Sequence, residues 1–154
     1  MNFEIIPFDP QYSEDFKRLN ISWLERYFHV EPRDEEVLGN PEKFIINPGG
    51  RIFFATIGKE IIGTVALLRL SEGTFELTKM AVTPQYQGKK VGQGLLEYSI
   101  AYSRKQQWKE LILYSNRKLE NAIHLYRKYG FREIPIEADN PYARGDIKME
   151  LKIN

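Results

Sequence analysis

Residues 80–96 read MAVTPQYQGKKVGQGLL, and the fold follows from how this stretch changes character. Met80-Ala81-Val82 is an apolar strand end that runs into a turn at Thr83-Pro84. A loop follows, with glycines at 88, 92 and 94 and with Lys89 and Lys90 between them. From there Val91, Leu95, Ser99 and Tyr102 repeat at helical spacing. A strand, a Gly-rich basic loop and a helix together make an anion site. The first four amides of a helix have no partner inside it. Glycine lets a ligand approach the backbone, and the helix dipole favours negative charge there. Without a ligand, the same loop reads as a surface turn carrying a solvated lysine pair.

Magnitudes limit what this loop can do alone. A helix end contributes about 0.3–2 kcal/mol toward holding an anion. A charge-assisted hydrogen bond adds about 1.5–3 kcal/mol, and micromolar binding needs roughly 8 kcal/mol. Three or four amides and a lysine therefore hold a pyrophosphate only with further contacts along the ligand's tail. Two other phosphate loops are set aside. A Walker loop needs Lys-Ser or Lys-Thr after its second glycine, and Gly92 and Gly94 precede Gln93 and Leu95. The spacing G-x-x-x-G-x-G also runs the wrong way for a dinucleotide fingerprint.

Gln87-Gly88-Lys89-Lys90-Val91-Gly92, following Met80-Ala81-Val82, resembles the Q/R-x-x-G-x-G/A acetyl-CoA loop of the GNAT N-acetyltransferase superfamily. Asn121-Ala122-Ile123-His124-Leu125-Tyr126-Arg127-Lys128-Tyr129-Gly130-Phe131 is similar to that family's second signature, N-A-x-x-L-Y-x-x-x-G-F. The two motifs stand in the family's order and spacing. The resemblance covers Thr74 to Ile134, and it has one departure: Lys90 stands where the family usually has glycine. Lys90 keeps its N–H and adds a charge suited to phosphate.

Composition narrows the alternatives. A chain of 154 residues is long enough for one domain, 1–154, with a proper core. Its 42% hydrophobic and 28% charged content are those of a soluble globular protein. A net charge of +1 and the lack of a long basic run argue against nucleic acid as a partner. The longest apolar run, Ile61 to Leu68, is too short to span a bilayer, so no membrane role is expected. The start, MNFEIIPFDP, has no basic n-region or long apolar stretch. With no Cys, disulfides and thiolate chemistry are excluded, and a cytoplasmic location is expected.

In chain order, residues 3–7 read as a strand, Ser13 to Val30 as a helix and Asp34 to Leu38 as a second, short one. Arg51 to Ile57 and Glu60 to Leu70 form a hairpin across Gly58-Lys59, and Thr74 to Val82 is the strand feeding the loop. A helix from Gly92 to Gln107, a strand at 111–115, a helix at 119–129 and a strand at 131–134 follow. A long loop through Pro135 and Pro141 leads to a last strand at 146–153. This βααβββαβαββ order implies an α/β fold: a mixed sheet with helices on both faces. It is also the GNAT order, in which the sheet is mostly antiparallel.

The resemblance implies acetyl-CoA as co-substrate, a small-molecule or peptide amine as acceptor, and direct transfer without an acyl-enzyme. It places the cofactor on the backbone of Met80, Ala81 and Val82, on the loop Gln87, Gly88, Lys89, Lys90, Val91, Gly92 and Gln93, and on Asn121. Acetyl transfer needs a base for an amine that is mostly protonated at neutral pH, a donor for the thioester oxygen, and an acid for the leaving thiolate. Glu76 is the base candidate, on the entering strand and, by alternation, on one face with Thr78, Met80 and Val82. Tyr126, at the family's tyrosine position, is the acid candidate. A solvent-facing Glu76 and a core-packed Tyr126 are the structural alternatives. Asn116 lies near enough to reach the same ligand, although a turn role suits it better.

No His/Asp/Glu cluster has metal-ligand spacing, so no metal is expected. Acceptor contacts fall in two regions: Trp23, Tyr27, Phe28, Glu31, Asp34, Glu35 and Glu36, and then Tyr142, Arg144 and Asp146. Aromatics beside carboxylates would suit a cationic amine, although surface helices carry such charges anyway. A homodimer is the ordinary prior. Two other readings stay open: an acyl-CoA-binding or sensing domain without catalysis, and a small phosphate binder unrelated to CoA.

Overall fold

The computed structural model describes residues 2–154. Seven strands form one sheet: β1 (Glu4–Pro7), β2 (Arg51–Ile57), β3 (Glu60–Ser71), β4 (Thr74–Val82), β5 (Glu110–Ser115), β6 (Arg132–Ile134) and β7 (Ile147–Lys152). Their order across the sheet is β1-β2-β3-β4-β5-β7-β6. Every neighbouring pair is antiparallel except β4–β5, which is parallel. Four helices cover the sheet: α1 (Ser13–Tyr27), α2 (Pro32–Gly39), α3 (Val91–Lys105) and α4 (Glu120–Lys128). This is the mixed, mostly antiparallel α/β architecture that the order of elements implied.

The two faces of the sheet carry separate cores. On one, Phe16, Leu19 and Leu24 of α1 and Val37 and Leu38 of α2 pack on Ile52, Phe54 and Ala66. On the other, Val91, Leu95, Leu96 and Ile100 of α3 pack on Phe53, Val65, Leu77 and Leu113. Strand β3 is buried on both sides, which is why Ile61 to Leu68 is apolar apart from Thr64, whose hydroxyl donates to the Phe53 carbonyl. Helix α1 stops at Tyr27, three residues before the expected Val30. Phe28 leaves helical dihedrals, and Pro32 then opens α2, whose N-cap is Glu31. A π-helical turn at Glu42–Ile46 carried no signal in the sequence. Among the described residues, no helix is long and apolar enough to cross a membrane.

One backbone irregularity shapes everything that follows. Lys79, inside β4, has φ of +54°, the left-handed region that costs a non-glycine residue roughly 1–2 kcal/mol. Thr78 pairs with Ala66 and Ala81 with Thr64, so two residues of β4 oppose only Val65 of β3. That is a β-bulge, which bends a strand and strengthens its twist. β4 and β5 are hydrogen-bonded only from Thr74/Glu110 to Glu76/Ile112. Past the bulge the two strands part, and a cleft opens between them.

The bulge corrects one expectation from alternation. Glu76 and Thr78 do share a face, but Met80 and Val82 do not lie on it. Phe75, Leu77, Met80 and Val82 all pack on the α3 side, whereas Ala81 packs on the α1–α2 side. The extra residue at the bulge inverts the inside–outside phase, as a one-residue slip does.

Candidate active site

The cleft between the diverging strands has a volume of about 260 Å³. Leu77 to Val82 of β4 form one wall, and Leu113 to Ser115 of β5 face them. Trp23, Tyr27 and Phe28 from the end of α1 close one side, and Leu119, Ala122 and Tyr126 close the other. Tyr142 and Arg144 reach in from the loop before β7.

The residues singled out from the sequence fall into distinct places. Met80, Ala81, Val82 and Gln87 line the cleft. Gly88, Lys89 and Lys90 are exposed next to the start of α3. The first α3 bond of this region runs from Gly94 N–H to the Lys90 carbonyl, so the amides of Val91, Gly92 and Gln93 precede any intrahelical partner. Val91 itself is buried, and its side chain belongs to the core. Gln87 is occupied with the protein: its Nε2 donates to the Val82 carbonyl at 3.1 Å, and its Oε1 accepts from Tyr27 Oη at 3.4 Å. Asn121 is exposed and does not line the cleft. Asn116 is a turn residue, its Oδ1 accepting from Lys118 N–H at 2.9 Å and its Nδ2 donating to the Arg144 carbonyl at 2.8 Å.

The glycines separate by function. A Cβ on Gly94 would stand 2.5 Å from Phe3 Cζ, so that glycine admits the N-terminal strand to α3. A Cβ on Gly92 would meet only Met80 and Val82 at 3.9–4.0 Å, so its bareness serves no packing need. Lys90 has φ of +66°, which explains why glycine is usual there in the family the loop resembles. Lys90→Gly is expected to hold or raise stability by up to about 1 kcal/mol, and Lys90→Val to lower it by at least as much. Thermal unfolding of the two variants checks this.

Tyr126 and Glu76 do not meet. Tyr126 lines the cleft, its phenol makes no hydrogen bond among the described residues, and burial pushes it up to about 12. Glu76 is 3% exposed and lies outside the cleft, behind Tyr142. It borders a second recess of about 200 Å³ that Val37, Ile45 and Leu68 also line. Tyr142 lines both spaces, and its Oη donates to Glu76 Oε2 at 2.8 Å. Thr78 Oγ1 lies 3.3 Å from the same hydroxyl. Burial raises the Glu76 carboxyl above the usual carboxylate range, against the opposing hydrogen bond from Tyr142 and the charge of Lys79.

Beside this pair lies a charge network absent from the sequence reading. Asp34 is fully buried. Lys79 Nζ donates to Asp34 Oδ1 at 3.1 Å, and Arg144 grips both Asp34 oxygens at 2.8 and 3.0 Å. Arg144 Nη1 also donates to Glu31 Oε2 at 2.9 Å. Burial alone would raise Asp34, but Arg144 and Lys79 hold it down at about 2. Burial likewise pulls Lys79 below the usual lysine value, opposed by the Asp34 carboxylate. The network ties the loop before β7 to the start of α2 and holds Tyr142 and Arg144 at the cleft. From the sequence Asp34 is either an acceptor contact or a surface helix charge, whereas the structure makes it a buried ion-pair partner that does not line the cleft. The one available signal was the Pro32 start, which puts Asp34 at the N3 position of a capping box with Glu31.

Comparison with known proteins agrees with the fold. The model of the acetyltransferase (GNAT) domain matches residues 48–133. The chain is 28% identical over 137 residues to an uncharacterised N-acetyltransferase of Schizosaccharomyces pombe, covering 86% of this chain and 83% of that one. It is 24% identical over 118 residues to N-acetyltransferase family 8 member 2 of Rattus norvegicus, covering 73% of this chain and 52% of the relative, so the chain spans about half that protein's length. Among solved structures, a GNAT-family acetyltransferase from Staphylococcus aureus superposes with a TM-score of 0.87 at 24% identity, covering 99% of this chain and 100% of that one. The PaiA N-acetyltransferase of Thermoplasma acidophilum, solved in complex with coenzyme A, gives 0.76 at 22% identity over 99% of both chains. The match to the family model, spanning more than half of the sequence, places this chain in the GNAT acetyltransferase family.

Proposed function

We propose that the protein is a single-domain N-acetyltransferase that moves an acetyl group from acetyl-CoA directly to a primary amine. The observation that carries this reading is the splayed β4–β5 cleft. It has strand backbone unpaired with β5 on one wall and an unpartnered phenol on its lining, and Gly92 at the start of α3 lies beside its lining residues Met80 and Val82. The coenzyme A held by the PaiA protein of the same fold supports the choice of ligand. The main chain of Met80 to Val82 receives the pantetheine amides. The amides of Val91, Gly92 and Gln93, with Lys89 and Lys90, receive the diphosphate.

Glu76 takes the acceptor's proton through Tyr142. The ammonium passes a proton to Tyr142 Oη as the Tyr142 hydroxyl proton moves to Glu76 Oε2, and the second recess lets it escape to solvent. The free amine then attacks the thioester carbon, a C–N bond forms and the C–S bond breaks. The remaining surplus N–H proton ends on sulfur, releasing the free thiol. A phenol raised to about 12 keeps its proton at neutral pH, and full transfer to a thiolate near pKa 8.5 runs uphill. Tyr126 therefore acts as a hydrogen-bond donor to the departing sulfur.

Thiol release from acetyl-CoA in the presence of an amine panel, alongside calorimetry with acetyl-CoA, tests the reading. Heat without thiol release would mark a binding domain that does no chemistry, and no heat with any acyl-CoA would end the assignment. Tyr126→Phe is expected to lower kcat about 10- to 100-fold with KM within about twofold. Equal rates for variant and parent would remove Tyr126 from the mechanism.

A further inference from the structure

The acceptor end of the cleft is aromatic, and the protein's own cations already cover most of its rings. Lys118 Nζ sits 4.0 Å from the Phe28 ring centroid and Arg26 Cζ 5.4 Å from that of Tyr27. Lys79 Nζ lies 4.8 Å and Arg144 Cζ 5.0 Å from the Tyr142 ring, and Lys148 Nζ lies 5.4 Å from the Tyr114 ring. Among the described residues, no Asp or Glu lines the cleft. The nearby carboxylates are engaged elsewhere, Asp34 and Glu31 with Lys79 and Arg144, and Glu137 with Lys148. Among the described residues Lys118 pairs only with the Tyr27 carbonyl, at 2.7 Å, and Arg26 only with Gln87 Oε1, at 3.5 Å.

These charges bear on what can enter. An aromatic box attracts a cation only when a ring face is open to it, and here four of the rings already carry one. Lys79, Arg144 and Lys148 are paired with Asp34, Glu31 and Glu137, so the unbalanced charge at the rim is that of Lys118 and Arg26. A second positive charge on the acceptor would meet it with no carboxylate on the cleft lining to receive it. An anion meets the opposite situation. Lys79 has one of its three donors in use and Arg144 three of its five, with side chains 4% and 16% exposed. Both stand against Tyr142, the group to which the acceptor's amine must come.

We propose, resting on the acetyl-transfer reading above, that the acceptor is a small primary amine with an aromatic or branched apolar body and an anionic group in place of a second cation. Apolar α-amino acids are that class: their carboxylate lies next to the reacting nitrogen, where Lys79 and Arg144 are. The body rests among Trp23, Tyr27 and Phe28 while the amine faces the thioester.

Steady-state thiol release with phenylalanine, phenethylamine and spermidine separates the possibilities. The expected order in kcat/KM is phenylalanine first, phenethylamine about tenfold lower, and spermidine at least about 100-fold below phenylalanine. Lys118→Glu is expected to narrow the phenylalanine-to-spermidine ratio about tenfold, with Lys118→Arg leaving it unchanged. Spermidine or phenethylamine equalling phenylalanine would overturn the proposal while leaving acetyl transfer intact. An unchanged ratio in Lys118→Glu would overturn the role of the cationic rim. Absence of thiol release with all three amines and with a wider panel would remove the acetyl-transfer reading, and this proposal with it.

Discussion

Glu76→Gln is expected to lose 100-fold or more in kcat at neutral pH, to bind acetyl-CoA as before, and to unfold at a higher temperature than the parent. The first effect follows from removing the terminus of the proton path. A positioned base contributes about 10²–10⁴-fold, and glutamine still accepts the Tyr142 hydrogen bond but takes no proton. The gap should narrow as pH rises toward the amine's own pKa, because free amine then arrives without help. The third effect follows from the sign of the Glu76 shift. Its carboxyl is raised in the folded protein by burial, so ionisation costs more there than in the unfolded chain. Below its ordinary value of 4.5 the group is neutral in both states and costs nothing. As pH rises past that value the unfolded chain ionises first, and stability is lost until the folded group has titrated too. A neutral isostere avoids that loss, so the variant should melt above the parent at neutral pH. A purely structural Glu76 would give the stability change without the pH-dependent loss of rate, and that outcome would remove it from the mechanism.

Much of the fold was legible because local signals and tertiary demand agree. β4 begins and ends at Thr74 and Val82 as read, since Gly73 and Thr83-Pro84 bracket it. The β2–β3 hairpin turns at Gly58, whose φ of +59° is what a tight two-residue turn requires. The site was legible only in part. A lysine does not announce a left-handed backbone, so counting by twos through Lys79 assigned Met80 and Val82 to the wrong face. Tyr142–Glu76 and Arg144–Asp34 join positions 66 and 110 residues apart, one partner of each in a loop without periodicity. Nothing local in PYARGD signals which distant carboxylate it will meet. Gly94 misled in the other direction, a glycine in a phosphate-like loop whose reason is Phe3.

The other large effect concerns Asp34. Asp34→Ala is expected to lower stability by about 3–5 kcal/mol, a large share of the roughly 5–15 kcal/mol available to a domain. The loss exceeds that of a surface pair because the partner left behind, Lys79, has a side chain only 4% exposed and no other carboxylate within ion-pair distance. Asp34 is also one of the two carboxylates that anchor Arg144, so the variant loosens the loop that carries Tyr142. Activity should therefore fall even at temperatures where the variant stays folded. The pH dependence carries a definite sign. With the carboxyl held at about 2 against 3.8 when unperturbed, its contribution is complete above about pH 4 and is lost as pH falls toward 2. Parent and variant should thus converge in stability in acid and separate toward neutrality, which urea titrations at pH 3 and pH 7 measure. Converting the pair together, Asp34→Asn with Lys79→Met, removes both members of the buried pair while Arg144 keeps Glu31, and should recover more than half of the loss. Recovery of stability without recovery of rate would separate the network's two tasks, holding the fold and aiming Tyr142. A single Asp34→Ala variant within about 1 kcal/mol of the parent and equal to it in rate would show that the network does neither.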